Sequence, residues 1–169
     1  MPLNSRSSGP ATHDLGAIDS VNTRLLAELH ADPRLSMSEL ARRVGMSAPA
    51  VTERVQRLQR AGVIAGFRME VAPEALGMTV TALVRVRPGP GQLPRVAEAA
   101  RRTPNVVECH RITGEDCFIL KVHAPSMAGL EEIIDRFVIH GQTTTSIVVS
   151  TPVPLRPLPI PDPDEGTVR

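Results

Sequence analysis

The stretch that most constrains this chain is "SMSELARRVGMSAPAVTERVQRLQRAGVIAGF", residues 36–67, where two short amphipathic helices are separated by a single glycine turn. Ser36 and Glu39 form an S-x-x-E capping box, which opens a helix through Leu40, Ala41 and Val44. Gly45-Met46 breaks it. Ser47 caps a third helix, with Pro49 in its first turn, where a missing N–H costs nothing. Val51, Val55 and Leu58 then fall within ~60° of one another at about 100° per residue, so they share one buried face. Gly62 stops the helix, and "VIAGFRMEV" reads as a short hairpin turning at Ala65-Gly66. Upstream, Asp19 caps a first helix with apolar positions Val21, Leu25, Leu26 and Leu29, ended by Asp32-Pro33.

Helix, tight turn, helix, hairpin is the layout of a winged helix-turn-helix. Its requirements are met in order: Ala41 is small enough for close helix approach, Gly45 permits a left-handed turn, and Val51 plugs the angle between the helices. The exposed face of the third helix would carry Ser47, Ala48, Pro49, Thr52, Glu53, Gln56 and Arg57, with Arg54 and Arg60 flanking. Small and polar residues at the helix start allow approach to a major-groove floor, and arginines further along suit phosphates or guanine edges. Between Ser36 and Glu70 there are six Arg against three Glu, a local excess in a chain whose formal net charge is only +1. These residues are the candidate double-stranded DNA contacts.

Composition removes other classes. Hydrophobic content of 41% is that of an ordinary globular protein, and no apolar run approaches the roughly 20 residues of a membrane span. "MPLNSRSSGPATHD" lacks the apolar core of a signal peptide, so a cytoplasmic protein with reduced thiols is expected. The only aromatics are Phe67, Phe118 and Phe137, which argues against base-stacking on single strands or RNA. Cys109 and Cys117 are too few for a disulfide scaffold or a cysteine-built zinc site.

Five regions follow: a tail over 1–15, the helical segment over 16–71, a linker over 72–77, an alternating segment over 78–152, and a proline-rich tail over 153–169. In the alternating segment "MTVTALVRVR" is a strand and 92–102 a helix. "NVVECHRIT" and "DCFILKVH" are strands joined at Gly114-Glu115, 126–138 is a helix, and "TTSIVVST" is a final strand. The order βαββαβ is ferredoxin-like, an antiparallel sheet with both helices on one face. The expected fold class is therefore α+β, a winged helix-turn-helix followed by a ferredoxin-like sandwich. A two-residue loop at Gly114-Glu115 makes cross-strand partners sum to 229, pairing Cys109 with Leu120 and facing Cys117 to Ile112. No disulfide follows, and both cysteines read as small buried hydrophobes. One hairpin face holds Val107, Cys109, Phe118, Leu120 and Val122, the other Val106, Ile112, Cys117 and Ile119. Apolar residues on both faces imply a partner sheet and hence a homodimer.

The chain also resembles the leucine-responsive regulatory protein/asparagine regulator (Lrp/AsnC) family of transcription factors, through "IDSVNTRLLAEL", the 35–67 stretch, "EALG" and "VVECHRITGEDCFILKV". That resemblance implies a winged helix joined to a ferredoxin-like effector domain. It also implies pairing through sheets, assembly of dimers into tetramers, octamers or higher forms, and an amino acid or related small molecule as effector bound between dimers, with no other cofactor.

The polar cluster "TGEDC", residues 113–117, offers backbone amides at Gly114 and the carboxylates of Glu115 and Asp116, which suit an amino-acid zwitterion. An ordinary hairpin turn with solvated acids is the plainer reading. The resemblance places the effector pocket at this hairpin, where many members read Gly-x-Tyr-Asp and this chain reads Gly114-Glu115-Asp116-Cys117. Asp116 would then bind the ammonium, one position displaced, with Glu115 in reserve. By the same resemblance "GQTTTS" borders the pocket, adding Gln142, Thr143 and Thr145. Catalytic motifs such as G-x-S-x-G or H-E-x-x-H are absent from the sequence. The alternative is an enzyme related to sirohaem decarboxylases, which share this two-domain resemblance, with His110 or His140 meeting a tetrapyrrole.

Overall fold

The computed structural model describes residues 19–160, in two compact units. One runs to Met69 and includes the segment from Leu155; the other is Glu70–Pro154. The expected N-terminal tail and the last nine residues of the C-terminal tail lie outside the described residues.

The helical unit holds α1 (Ser20–Ala31), α2 (Met37–Val44) and α3 (Ala48–Arg60). Each start has a local cause. The Asn22 N–H donates to Asp19 Oδ1 at 2.7 Å, and the Glu39 N–H donates to Ser36 Oγ at 3.1 Å. The reciprocal half of the expected capping box is not made, because the Glu39 carboxylate turns outward to Arg42 and Arg43. Ser47 stands at the α3 cap with extended backbone, but its hydroxyl accepts no cap bond. The reason lies in Pro49: it occupies the second helical position and removes one of the two N–H groups a cap can reach. Gly45 takes φ +70°, and the Met46 N–H closes on the Ala41 carbonyl at 3.0 Å. Leu25, Leu40, Val51 and Leu58 are all fully buried.

The expected hairpin after Gly62 is not formed. Among the described residues 63–72 carry no strand ladder, and Phe67, Met69 and Val71 are exposed. Ile64 packs on the helical core, but an isolated two-stranded ribbon is marginal in water. The linker instead folds into a short 3₁₀ turn, Pro73–Leu76, closed by Gly77 at φ +75°.

The sheet unit runs β1 (Val80–Pro88), α4 (Leu93–Arg102), β2 (Val106–Arg111), β3 (Phe118–Ala124), α5 (Met127–Val138) and β4 (Gly141–Ile147). All neighbours are antiparallel, in the order β2-β3-β1-β4. Strands of alternating burial put Ala82, Val84, Val86, Phe118, Leu120 and Val122 on one face. Val96, Ala100, Leu130, Ile133 and Phe137 of the two helices close over them. Burying a side chain such as Phe137, 1% exposed, is worth about 2–3 kcal/mol.

The final strand begins and ends earlier than expected. Gly141 pairs with Pro88, and a Cβ there would lie 2.1 Å from the Arg87 carbonyl oxygen, so only glycine starts this strand. Past Ile147 a single further bond remains, from the Val148 N–H to the Thr81 carbonyl at 2.9 Å.

The β2–β3 pairs do sum to 229 over Glu108–Arg111, with Cys109 opposite Leu120. A bulge between Val106 and Glu108 then shifts the register, so that Val106 packs on the helix-side core and Val107 stands 52% exposed. Val106 thus takes the core-side place expected for Val107. Both cysteines are free, as expected; Cys109, however, is exposed on the edge strand rather than buried.

Candidate functional site

On α3 the structure exposes Ser47, Pro49, Glu53, Gln56 and Arg57, while Ala48, Thr52 and Arg54 are partly buried. The Thr52 hydroxyl donates back to the Ala48 carbonyl at 2.8 Å. Arg54 does not join the exposed row: its Nη1 donates to Asp19 Oδ2 at 2.7 Å and to Asn22 Oδ1 at 3.0 Å, clamping α3 to the first turn of α1. Asn22 is 1% exposed, so this clamp reaches into the core. Partial desolvation opposes ionisation of Asp19. The Arg54 hydrogen bond and the Asn22 N–H outweigh it, with Arg54 and Arg57 charge helping, and hold the carboxyl below its ordinary value.

On the sheet unit, the face away from the helices is polar. Register places Thr81, Leu83, Arg85 and Arg87 of β1 opposite His123, Lys121 and Ile119 on one side, and opposite Ser146, Thr144 and Gln142 on the other. Glu108 meets Lys121 Nζ at 3.3 Å and His110 Nε2 at 3.5 Å. Desolvation raises the Glu108 pKa, but the hydrogen bonds to the His110 ring and the Lys121 ammonium outweigh it and leave it lowered. Leu83 and Ile119 are the apolar centre of this face, a smaller patch than two-sided apolar strands would give.

At one end of that face the loop after β2 supplies the acids and β1 the bases. Gly114 takes φ +107°, where a β-carbon is disfavoured. Glu115 Oε2 lies 3.3 Å from Arg87 Nη1, and Asp116 Oδ2 lies 3.8 Å from Arg85 Nε. Gln142 pairs in register with Arg87, and both line a cleft of about 410 Å³ with Pro88, Gly89, Val138 and Gly141. Two cations, two carboxylates and a carboxamide beside a cleft can hold a molecule bearing both charges.

Thr143 and Thr145 are not brought to this cluster. They pair with Val86 and Val84, whose side chains are in the helix-side core, so both threonines face the other side of the sheet. Cys117 stays beside the loop, with Sγ 3.9 Å from the Glu115 carbonyl oxygen. Arg85 and Arg87 are the residues that sequence reasoning missed. Their alternation in "VRVRP" signals one exposed face, but not which loop that face meets.

His140 is engaged within the fold, its Nδ1 3.1 Å from Gln92 Oε1 and its carbonyl accepting the Gly89 N–H. Among the described residues no three His, Cys, Asp or Glu side chains could hold a metal ion, and no helix is long and apolar enough to cross a membrane.

Residues 18–65 match a winged helix-turn-helix DNA-binding family, and residues 81–158 match the Lrp/AsnC ligand binding domain. The HTH-type transcriptional regulator LrpC of Bacillus subtilis is 34% identical over 133 residues, covering 79% of this chain and 92% of that protein. LrpA of Mycobacterium tuberculosis is 33% identical, covering 80% and 92%. The solved structure of B. subtilis LrpC superposes with a TM-score of 0.74 over 79% of this chain and 96% of its own. A feast or famine regulatory protein from M. tuberculosis complexed with L-methionine, 33% identical, superposes at 0.77 over 85% and 99%. The clamped helix-turn-helix and the ligand-binding sheet unit thus occur here in the order those regulators have them, and the chain belongs to the Lrp/AsnC family of DNA-binding transcriptional regulators.

Proposed function

We propose that this regulator reads a pseudo-palindromic operator through α3 and that an amino acid or closely related metabolite, bound at the Arg85–Asp116 end of the sheet, changes its assembly or its footprint. The observation that carries the reading is the juxtaposition of Arg85, Arg87, Glu115 and Asp116 in a domain that matches the family's ligand-binding module. An α-carboxylate suits the arginines and the amides near Gly114, and an ammonium suits Asp116, with Glu115 next to it. Gln142 closes the polar side, and Pro88 and Val138 offer an apolar wall to a side chain. Methionine is the first candidate, because a relative binds it.

In this reading residues 16–71 form the DNA-binding domain, 72–77 the linker and 78–152 the effector and dimerisation domain, acting on chromosomal DNA in the cytoplasm. Ser47, Ala48, Pro49, Thr52, Glu53, Gln56 and Arg57 line the DNA. Arg54 sets the helix rather than reading bases. Two copies pair across the polar sheet faces around Leu83 and Ile119, and dimers assemble further.

The test is a thermal-shift screen against the twenty amino acids, followed by titration calorimetry on wild type and Asp116→Ala. A hit raises stability by RT ln(1 + [L]/Kd), about 2.7 kcal/mol at a hundredfold excess over Kd. Asp116→Ala is expected to weaken binding roughly tenfold or more. Unchanged affinity removes Asp116 from the site. A screen with no hit, metabolites included, leaves a regulator governed by its own concentration.

A further inference from the structure

One carboxylate stands apart from the other acids of the helical unit. Asp19 is paired with Arg54, Glu28 with Arg43, and Glu39 with Arg42 and Arg43, while Asp32 accepts the Arg34 N–H at 2.9 Å. Glu53 on α3 makes no ion pair or side-chain hydrogen bond among the described residues, although Arg57 follows four residues on. At 100° per residue it lies about 170° from the middle of the buried Val51–Val55–Leu58 face. Pro49 and Arg57 are exposed on either side of it. It is the sixth of the thirteen residues of α3, about 7.5 Å along the axis from Ala48. That is the N-terminal half, the part of a recognition helix that meets base edges.

A lone carboxylate is unfavourable against duplex DNA, which carries one negative charge per about 1.7 Å of its axis. A base that donates to it offsets the repulsion, and an ionised carboxylate only accepts. In the major groove the donors are the N4 amino group of cytosine and the N6 amino group of adenine. Adenine sets its N7 acceptor beside that amino group, where it repels a carboxylate. Cytosine has a C–H in that place. Guanine and thymine present acceptors alone, apart from the thymine methyl group.

We propose that Glu53 is a specificity-determining residue that accepts a hydrogen bond from the N4 amino group of one cytosine in each half-site. The proposal rests on the reading of α3 as the helix that contacts DNA. Every sequence without that cytosine leaves the carboxylate against the phosphates with no donor. Glu53 therefore lowers affinity for DNA in general and raises the discrimination between sites. Arg54 does not neutralise it, because its guanidinium is held by Asp19 and Asn22.

Selection of operators from a random duplex library tests this on the full chain, with wild type beside Glu53→Ala and Glu53→Gln. Neither substitution removes a contact that holds the fold, since the carboxylate has no partner there. Wild type is expected to select half-sites with a fixed cytosine that Glu53→Ala no longer requires. Glu53→Gln is expected to turn that position to adenine, whose N6 and N7 suit a carboxamide. Replacing the cytosine in a selected duplex should weaken wild-type binding roughly ten- to hundredfold and leave Glu53→Ala nearly unaffected. Glu53→Ala should also bind an unrelated duplex more tightly than wild type, because a repulsion is gone. Wild type that selects no sequence overturns the proposal together with the reading of α3. Wild type and Glu53→Ala selecting the same half-site with equal stringency overturns the role of Glu53 alone, and so does a selected half-site in which the Glu53-dependent position is not cytosine.

Discussion

In the helical unit the exposed row of Pro49, Glu53, Gln56 and Arg57 follows from positions within one helix, whereas in the sheet unit Asp116 and Arg85 meet only because a hairpin and a distant strand are laid side by side. Both units use glycines at turns, and the two glycines differ in kind. Gly45 is needed for its backbone angle, φ +70°, with open space around its missing side chain. Gly141 is needed for its size, because the backbone of Arg87 and Pro88 occupies the place of a β-carbon. One constraint is local and the other is tertiary.

The largest effect expected from that contrast is at Gly141. Gly141→Ala forces β4 from β1 at the end where Gln142 and Arg87 form the cleft, and is expected to cost about 3 kcal/mol in urea unfolding. Effector binding should fall with it, since the cleft wall moves. A loss below ~1 kcal/mol would mean that the two strands separate there cheaply, and that Gly141 does not tie the cleft to the core.

Next comes the division of labour between two arginines on α3. Arg57→Ala is expected to weaken operator binding by ~1–3 kcal/mol if it reaches a base, or to lower the salt slope if it reaches a phosphate, with the melting temperature unchanged. Arg54→Ala is expected to lower stability by about 1 kcal/mol, a charged hydrogen bond discounted for its partial exposure. Its loss in DNA affinity should be recovered on cooling or on adding a stabilising osmolyte. Melting curves beside footprinting titrations separate the two. Equal melting temperatures for both variants would return Arg54 to the reading face.

Gly45→Ala should cost less than Gly141→Ala, about 1–2 kcal/mol, because only the left-handed backbone is penalised. The measurement is the same urea titration, and a cost equal to that of Gly141→Ala would erase the distinction between angle and size.

Smallest is the pH dependence of the α1–α3 clamp. The Asp19 carboxyl is held below its ordinary value, about 3.9, so the unfolded chain binds more protons in acid and stability falls with falling pH. The clamp's contribution is complete above the unfolded value and is lost as pH falls through the folded one. Wild type and Arg54→Ala should therefore differ by a constant amount above about pH 5 and converge in stronger acid. A difference that persists undiminished well below pH 3 would assign the clamp to Asn22 alone.

How much of this was legible follows from the range of the interactions. The Asp19 and Ser36 caps, the Gly45 turn and the Val51–Val55–Leu58 face involve partners within a few residues, and the structure has them as the spacing requires. Where local reading failed, a partner was missing or in excess. The segment after Gly62 docks Ile64 on the helical core but forms no strand pairing, and Phe67, Met69 and Val71 stay exposed. The second half of the capping box lost Glu39 to two arginines. Ser47 lost a target amide to Pro49.

The sequence by itself determined the helix boundaries, the antiparallel order of the second unit and the Cys109–Leu120 register, because periodicity and turn residues report whether a side chain faces inward or outward. The tertiary structure alone decided that Arg54 is a clamp, that a bulge turns Val106 rather than Val107 to the core, and that Arg85 and Arg87 complete the acidic loop while Thr143 and Thr145 turn away from it. Each of these depends on which surface is brought opposite which. A period of 3.6 or 2 says that a side chain points outward but carries no record of what it will meet, since that is fixed by pairing between strands and helices far apart in the chain.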